Sequence, residues 1–272
     1  MIKNKLLKIK NLFFKSKNFS LKWEKYFQIY ELLFSKYKNK KIIFVEIGVL
    51  DGGSLEIWKK YFGKNSRIIG IDNNPSCKKF ENKNFEIYIG SQSDQNFWNS
   101  FYKKIGKIDI LLDDGGHTND QQITTIINSV SHIKDGGLIV IEDTHTSYQK
   151  HFGNPYKYSL INFAKKLIDD VNFTFPNLGK FSYSLNEMIY SIQFFESLIV
   201  LKINRELCKI NRKIQNNGYR KNNEDFGFEE KIQDFKKKYI FLYKFKFSLK
   251  IERFLIKIIR RMKSYKLKKY FN

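Results

Sequence analysis

Residues 111–120 read LLDDGGHTND, an apolar run that ends in two adjacent carboxylates, two glycines and one of the four histidines in the chain. Residues 137–143, GLIVIED, end in a second adjacent pair, Glu142 and Asp143. If the two runs are neighbouring strands, Asp114, Glu142 and Asp143 meet on one rim. Three carboxylates without a cluster of Cys or His suit a hard octahedral cation, Mg2+ ahead of Zn2+. The bland alternative is that acids at strand ends simply face solvent. A cation there would stabilise the alkoxide of a bound hydroxyl and fix its orientation. His117, three residues beyond Asp114, is then the candidate general base, because an imidazole titrates near neutrality. Gly115 and Gly116 would let the loop turn sharply and leave room for a substrate. His145, Thr146 and Tyr148, just after the second acid pair, are candidate substrate contacts, and His145 is a rival base.

Several elements must hold these groups in place. Successive strand residues point to opposite faces, so Asp113 can serve a cofactor while Asp114 faces a substrate cleft. Short apolar runs recur at residues 42–48 (IIFVEIG), 67–72 (RIIGID), 85–90 (FEIYIG), 108–114 (IDILLDD) and 137–143, each ending in Gly, Asp or Glu. Between them the spacing predicts helices over 54–62, 95–105 and 120–133, the last with Ile123, Ile126, Ile127, Val130 and Ile133 on one face. Strands alternating with helices predict βαβ units and a parallel sheet covered on both sides. In such sheets ligands bind beyond the carboxyl ends of the strands, where the strand order reverses. Residues 188–203 read as two strands joined at Glu196 and Ser197, an antiparallel hairpin that closes the sheet. Upstream, Trp23, Tyr26, Phe27, Tyr30, Leu33 and Phe34 recur at helical spacing and predict an amphipathic docking helix.

Composition narrows the class. With 272 residues, 42% apolar, the chain can bury a substantial core. Cys77 and Cys208 are its only cysteines, too few for a disulfide framework or a CxxC metal motif, which fits a reducing cytoplasm. Lysines interrupt the N-terminus too often for a signal-peptide core, and no apolar run reaches the roughly 18 residues of a membrane span. The net charge of +23 is uneven: residues 1–25 hold eight Lys and one Glu, and residues 231–272 hold fifteen Lys or Arg and two acids. The middle is nearly balanced, and basic ends suit an anionic partner, whether nucleic acid or a lipid surface.

The turn after the first run, EIGVLDGGS at 46–54, has glycines that let backbone approach a ligand, and Asp72 ends the second run where ribose hydroxyls would bind. The absence of GxGxxG weighs against NAD. A carboxylate before the glycines would repel a pyrophosphate and stabilise an ammonium group. Ribose, an ammonium group and no phosphate describe S-adenosylmethionine. Taken in order, EIGVLDGGS, GIDNNPSCK, IGSQSD, LLDDGGHTNDQQITT and GGLIVIEDTHTSY resemble class I S-adenosylmethionine-dependent methyltransferases. More closely, they resemble the metal-dependent sugar O-methyltransferases of the macrocin and mycinamicin type, over about residues 26–148, or to 203 with the closing hairpin.

That resemblance implies that Glu46 and Gly48 face the methionine portion, that Ser54 lies near its carboxylate, and that Asp72 holds the ribose. It further implies that Gln92 and Ser93 edge the adenine, that Asp113 approaches the methionine ammonium group, and that Asp114, Glu142 and Asp143 hold Mg2+. The expected architecture is α/β, a Rossmann-like doubly wound seven-stranded sheet, mostly parallel. Its expected parts are a basic arm and docking helix over 1–38, a methyltransferase domain over 39–205 and a basic, mostly helical extension over 206–272. In the extension Ile251, Phe254, Leu255, Ile258, Ile259 and Met262 share one helix face among basic residues, a pattern that suits a packed or dimer-forming helix or an anionic membrane surface at the inner face.

The expected activity is transfer of a methyl group to a sugar hydroxyl, on a small-molecule glycoside, a nucleotide-linked sugar or a surface-glycan precursor of the capsule or lipooligosaccharide type. Two readings compete. One is methylation of RNA ribose, which suits the charge but not the acids, since carboxylates in the cleft would repel phosphate unless a cation intervenes and no lysine is expected beside them. The other is a silent S-adenosylmethionine-binding module, against which the joint presence of Asp114, His117, Glu142 and Asp143 argues.

Overall fold

Alternation along the strands decides how the sheet is buried. The computed structural model describes residues 8–152, 155–172, 184–209, 211–219 and, further on, 254, 257, 258, 261, 262, 264, 265 and 267–270. The chain divides into two compact units, Met1–Lys213 and Ile214–Asn272, each described by itself. In the first unit, strands β1 (Ile43–Ile47), β2 (Arg67–Asp72), β3 (Phe85–Ile89), β4 (Ile108–Asp113), β5 (Ile133–Ile141), β6 (Ile189–Phe195) and β7 (Leu198–Ile203) form one sheet in the order β3-β2-β1-β4-β5-β7-β6. The pairs from β3 to β5 are parallel; β7 runs antiparallel to β5 and β6. This is the Rossmann-like, mostly parallel sheet with a closing hairpin that the sequence predicts.

Helices cover both faces: α1 (Lys8–Phe14), α2 (Tyr26–Phe34), α3 (Gly53–Phe62), α4 (Gln95–Ile105), α5 (Asn119–Ser129) and α6 (Leu160–Asn172). Phe44, Ile68, Leu112, Val140 and Val200 pack toward α2 and α3 on one side, while their neighbours Val45, Ile69, Leu111, Ile139 and Leu201 pack toward α4, α5 and α6 on the other. Parallel strands buried on both faces read as unbroken apolar runs, which is why all five parallel strands are visible in the sequence. Local chemistry starts the helices: Asp94 accepts a hydrogen bond from Asn96 N at 2.8 Å before α4, and Thr118 and Gln121 form a capping box before α5.

Several elements differ from expectation. The docking helix begins at Tyr26; Trp23 lies in the turn before it and is 59% exposed. Helix α5 stops at Ser129 because Ile133 opens β5, pairing with Ile108. Its inner face carries Gln122, Thr125 and Ser129 with Ile126, while Ile127 is exposed; near the strand ends Gln122 Nε2 donates to Glu142 O and Thr125 Oγ1 accepts from Gln92. Helices α1 and α6 are additional to the predicted set. Residues 211–219 carry no helix or strand. The amphipathic helix expected around 251–262 lies largely outside the described residues, among which Phe254, Ile258 and Met262 are exposed. No helix among the described residues is long and apolar enough to cross a membrane.

Candidate functional site

The strand order reverses between β1 and β4, and there the ladder runs one residue past the strands. Gly48 N donates to Ile71 O at 2.8 Å, Asp114 N to Ile47 O at 3.0 Å and Glu142 N to Asp113 O at 2.9 Å. These bonds bring the loops after β1, β4 and β5 side by side. Between them lies a cavity of about 560 Å³, lined by Gly48, Ser54, Asp72, Gln92, Asp114, His117, Glu142 and Asp143, and closed on its other side by Phe19–Trp23 and Tyr26.

The loops are held in unusual backbone. Gly48 has φ +94°, and a Cβ there would stand 2.1 Å from Asp114 O, so only glycine lets β1 and β4 come this close. His117, Asp143 and Leu50 take left-handed φ of 59°, 53° and 50°, a conformation that costs a non-glycine residue about 1–3 kcal/mol and gathers at functional sites. A single hydroxyl bridges two of them: Thr146 Oγ1 lies 3.0 Å from His117 O and 2.8 Å from Asp143 O, sharing its one proton between the two carbonyls. Asn119 secures the segment behind, accepting from Leu160 N at 2.8 Å and donating to Phe152 O at 2.9 Å.

At one end of the cavity, Asp72 lines the wall while its carboxylate accepts Val49 N and Asn74 N at 2.8 and 2.9 Å. Gln92 lines the same end, and its amide donates to Asp113 Oδ2 at 2.9 Å and to Thr125 Oγ1 at 3.0 Å and accepts from Gly116 N at 3.0 Å. Asp113 is fully buried and also receives Gly115 N at 3.1 Å. Burial pushes its carboxyl up, against the pull of Gln92, Thr125 and the Gly115 N–H. The structure therefore sets Asp113 beneath the 114–117 loop, as a brace, and does not bring it to the cavity wall. Ser93 is exposed and off the wall; Ser91 takes its place. Glu46 lies fully buried behind the wall, receiving the Ser54 hydroxyl at 2.5 Å.

The acids gather at the other end. Ligand atoms of Asp114, His117 and Asp143 lie within 4.8 Å of one another, with His117 Nε2 3.5 Å from Asp143 Oδ2. Glu142, expected as the third metal ligand, lines the cavity but is engaged elsewhere: Tyr30 Oη donates to it, and Lys22 Nζ lies 3.1 Å away. The same ammonium is 2.5 Å from Asp114 Oδ2 and 3.4 Å from Glu46 Oε1, with its side chain 4% exposed. Asp143 Oδ1 accepts from Trp23 Nε1 at 2.9 Å and Tyr26 Oη at 2.8 Å. The expectation that no lysine accompanies the acids is thus overturned by a residue 92 positions away from Asp114 in the chain.

One ammonium among three carboxylates leaves an excess of negative charge. Burial alone would lower Lys22, but Asp114, then Glu142, then Glu46 outweigh it and hold the ammonium well above its ordinary range. Burial raises Glu142, with Lys22 drawing it back and Asp114 pushing it further up, and burial likewise raises Glu46 against Lys22 and Ser54. The donor set fits a hard cation: carboxylate oxygens dominate, no thiolate is near, and His117 Nδ1 is buried without a hydrogen-bond partner among the described residues.

Of the remaining predicted residues, His145 stands outside the cavity, bonded through Nδ1 to Ser197 Oγ and edge-on to Trp23 with ring centroids 5.8 Å apart. Thr146 is buried in its bracing role, and Tyr148 is 57% exposed. Of the two histidines, His117 is the one in the cavity. Sequence reasoning missed Lys22 and the polar roles of Trp23, Tyr26 and Tyr30. A usable signal existed for the tyrosines: phenols at i and i+4 on a buried face require acceptors.

No family model matches the chain. It is 29% identical over 185 residues to an 8-demethyl-8-alpha-L-rhamnosyl tetracenomycin-C 2'-O-methyltransferase of Streptomyces olivaceus, covering 64% of this chain and 48% of the relative. It is 31% identical over 154 residues to the demethylmacrocin O-methyltransferase of Streptomyces fradiae, covering 52% and 38%. It is 32% identical over 154 residues to the mycinamicin VI 2''-O-methyltransferase of Micromonospora griseorubida, again covering 52% and 38%. The chain thus spans about half or less of the length of these curated relatives. Among solved structures it is similar to the MycE methyltransferase of the mycinamycin biosynthetic pathway with Mg and SAH, at TM-score 0.65 and 25% identity over 74% of this chain and 54% of that one. A second structure of that methyltransferase, with Mg, SAH and mycinamycin VI, gives TM-score 0.64 and 26% identity over 74% and 53%. The chain is therefore related to the macrocin- and mycinamicin-type sugar O-methyltransferases and shares their Rossmann-like methyltransferase fold.

Proposed function

We propose that this protein is a metal-dependent O-methyltransferase that moves a methyl group from S-adenosylmethionine to a sugar hydroxyl. The observation that carries the reading is one cavity with two chemically distinct ends. Backbone, Asp72 and Gln92 form one end, and Asp114, His117, Glu142 and Asp143 form the other. Solved relatives with the same fold carry SAH and Mg. S-adenosylmethionine supplies an electrophilic sulfonium methyl, and Mg2+ lowers the pKa of a hydroxyl oxygen and fixes its orientation.

The chain's own residues supply the rest. Asp114, Asp143 and Glu142 would hold the cation. His117 Nε2, beside Asp143, would accept the acceptor hydroxyl's proton, and the Thr146 hydroxyl fixes both residues through their backbone carbonyls. Gly48 keeps the loop after β1 tight against Asp114, so both ends of the cavity share one frame. Positioning of this kind supplies much of the acceleration in a displacement reaction. Phe19–Trp23 line the same cavity.

The relatives' names point to glycosides of polyketides as acceptors of those enzymes. For this chain the charge of +23 and its basic ends favour an anionic acceptor, such as a nucleotide-linked sugar or a surface-glycan precursor presented at an anionic membrane. The test incubates the full chain with S-adenosylmethionine, Mg2+ and a panel of nucleotide sugars, neutral glycosides and RNA, and reads a gain of one methyl group by mass spectrometry. A methylated sugar that disappears with chelator is the expected result. Undiminished turnover in chelator, or methylated RNA alone, would overturn the reading.

A further inference from the structure

Every carboxylate assigned above to the cation is already contacted by the N-terminal segment. Lys22 binds Asp114 and Glu142, Trp23 and Tyr26 bind Asp143, and Tyr30 binds Glu142. Tyr26 and Tyr30 belong to α2, which is anchored in the core. Lys22 and Trp23 belong to the stretch between α1 and α2, where residues 18–23 have neither helix nor strand. This stretch crosses the start of α3 so closely that a Cβ on Gly53 would meet the Asn18 and Phe19 carbonyl oxygens at 2.6 and 2.3 Å. It also forms the outer wall of the cavity.

The position of the Lys22 ammonium is the informative feature. It lies 2.5, 3.1 and 3.4 Å from oxygens of Asp114, Glu142 and Glu46, the first two of which belong to residues that would hold a metal ion. An oxygen in charge-assisted contact with Nζ offers little to a second cation, and two cations in one buried cluster repel each other strongly. Conversely, a single positive charge leaves three carboxylates under-neutralised, which a divalent ion would correct better. Burial of an unpaired charge is costly, so the ionised cluster needs a cation, and Lys22 is the one the chain provides.

We propose that residues 19–23 form a strap whose Lys22 ammonium is the resident counter-ion of the acid cluster, and that a divalent cation reaches Asp114 and Glu142 only by displacing it. Loading the metal therefore releases the strap's grip on the cavity, and metal affinity is set in competition with the chain's own lysine. The inference rests on the reading that this cluster takes a divalent cation.

Two measurements test it on the full chain. In amine-reactive footprinting with acetic anhydride and peptide mass spectrometry, Lys22 stays unmodified in the free protein and becomes modified at saturating Mg2+. Lys25, with its side chain 71% exposed, reacts in both states as the internal reference. In calorimetry with Mg2+ alone, Lys22→Met binds tighter than the wild type, by the roughly 5- to 150-fold usual when one site is coupled to another. Lys22 that remains protected while calorimetry shows the metal bound overturns the strap and leaves the metal-site reading standing, as does a Lys22→Met protein that binds no tighter. Absence of Mg2+ binding in both proteins overturns the strap and the metal reading together. The footprint uses unaltered protein, so it decides the matter even where Lys22→Met does not fold.

Discussion

Replacing Tyr30 by Phe tests the electrostatic account of the site through a single atom. The ring is 1% exposed, stacks on Phe34 at 5.7 Å between centroids and meets Trp58 edge-on at 5.1 Å. Phenylalanine keeps all of these contacts and creates almost no void, so the loss is confined to the hydroxyl that donates to buried Glu142. A hydrogen bond to a charged group contributes about 1.5–3 kcal/mol, and leaving the buried partner unsatisfied falls in the same range. For a domain of this size each kcal/mol shifts Tm by roughly 2–4 °C, so a drop of about 3–12 °C is expected where Glu142 is ionised.

The pH dependence makes the test sharper. Burial, opposed by Lys22, holds the Glu142 carboxyl above its ordinary value in the folded protein. The folded state therefore keeps the Glu142 proton to higher pH than the unfolded chain does. Its favourable contribution is complete below about pH 4, near the ordinary carboxyl value, and declines as pH rises through the folded value. Removing a donor to the carboxylate raises the folded value further, so the Tyr30→Phe penalty should be small near pH 4 and grow as pH rises through the folded value. Thermal melts of both proteins by circular dichroism, in buffer free of divalent ions, measure it. A penalty that stays below about 0.5 kcal/mol from pH 4 to pH 9 would refute the reasoning, since it lies under the smallest value expected for such a bond. A penalty at least as large at pH 4 as at pH 9 would refute it equally.

Two further substitutions probe the cavity. His117→Ala should leave the melt near wild type and lower methyl transfer by about 10²- to 10⁴-fold, the usual contribution of a general base; near-normal turnover across pH would move the role to His145 or to water. Gly48→Ala forces a left-handed alanine, about 1–2 kcal/mol, and drives its Cβ against Asp114 O, 2.1 Å away. Calorimetry should then show S-adenosylmethionine and Mg2+ binding weakened together, whereas weakening of only one would mean that Gly48 does not couple the two ends.

What the sequence reveals about this site follows from what each residue buries. The five parallel strands have apolar neighbours on both faces, so each is an unbroken run whose polar end marks the rim. The hairpin at 188–203 is visible for the same reason on β7, where Leu198 to Leu201 are all buried. Helix α5 misleads because its inner face is partly polar: Gln122 donates to Glu142 O at 2.8 Å, and Thr125 meets Gln92. Hydropathy counts such residues as solvent-facing, although a polar side chain that finds a hydrogen-bond partner can sit in a core. Asp113 and Asp114 do diverge as strand alternation requires, yet alternation cannot tell a cavity wall from the buried layer beneath it. That distinction depends on Gln92, twenty-one positions away in the chain.

Lys22 is the extreme case, because nothing local distinguishes it from the other seven lysines of the first 25 residues. A basic arm suggests solvent or an external anion, and the charge of such an arm is ordinarily its exposed feature. Here the docking of α2 turns one of those charges inward. Tyr26, Tyr30, Phe27 and Phe34 bury the helix against the sheet, and the residues just before it must then pass over the strand ends, where the acids are. The βαβ frame supplies a surplus of negative charge at its switch point and cannot neutralise it with its own strands. The N-terminal segment supplies the cation and three of the neutral donors. It follows that the acids and the arm are one electrostatic unit despite their separation in sequence, and that a chain lacking residues 1–25 would leave Glu46, Asp114 and Glu142 to be neutralised by protons or by a bound metal alone.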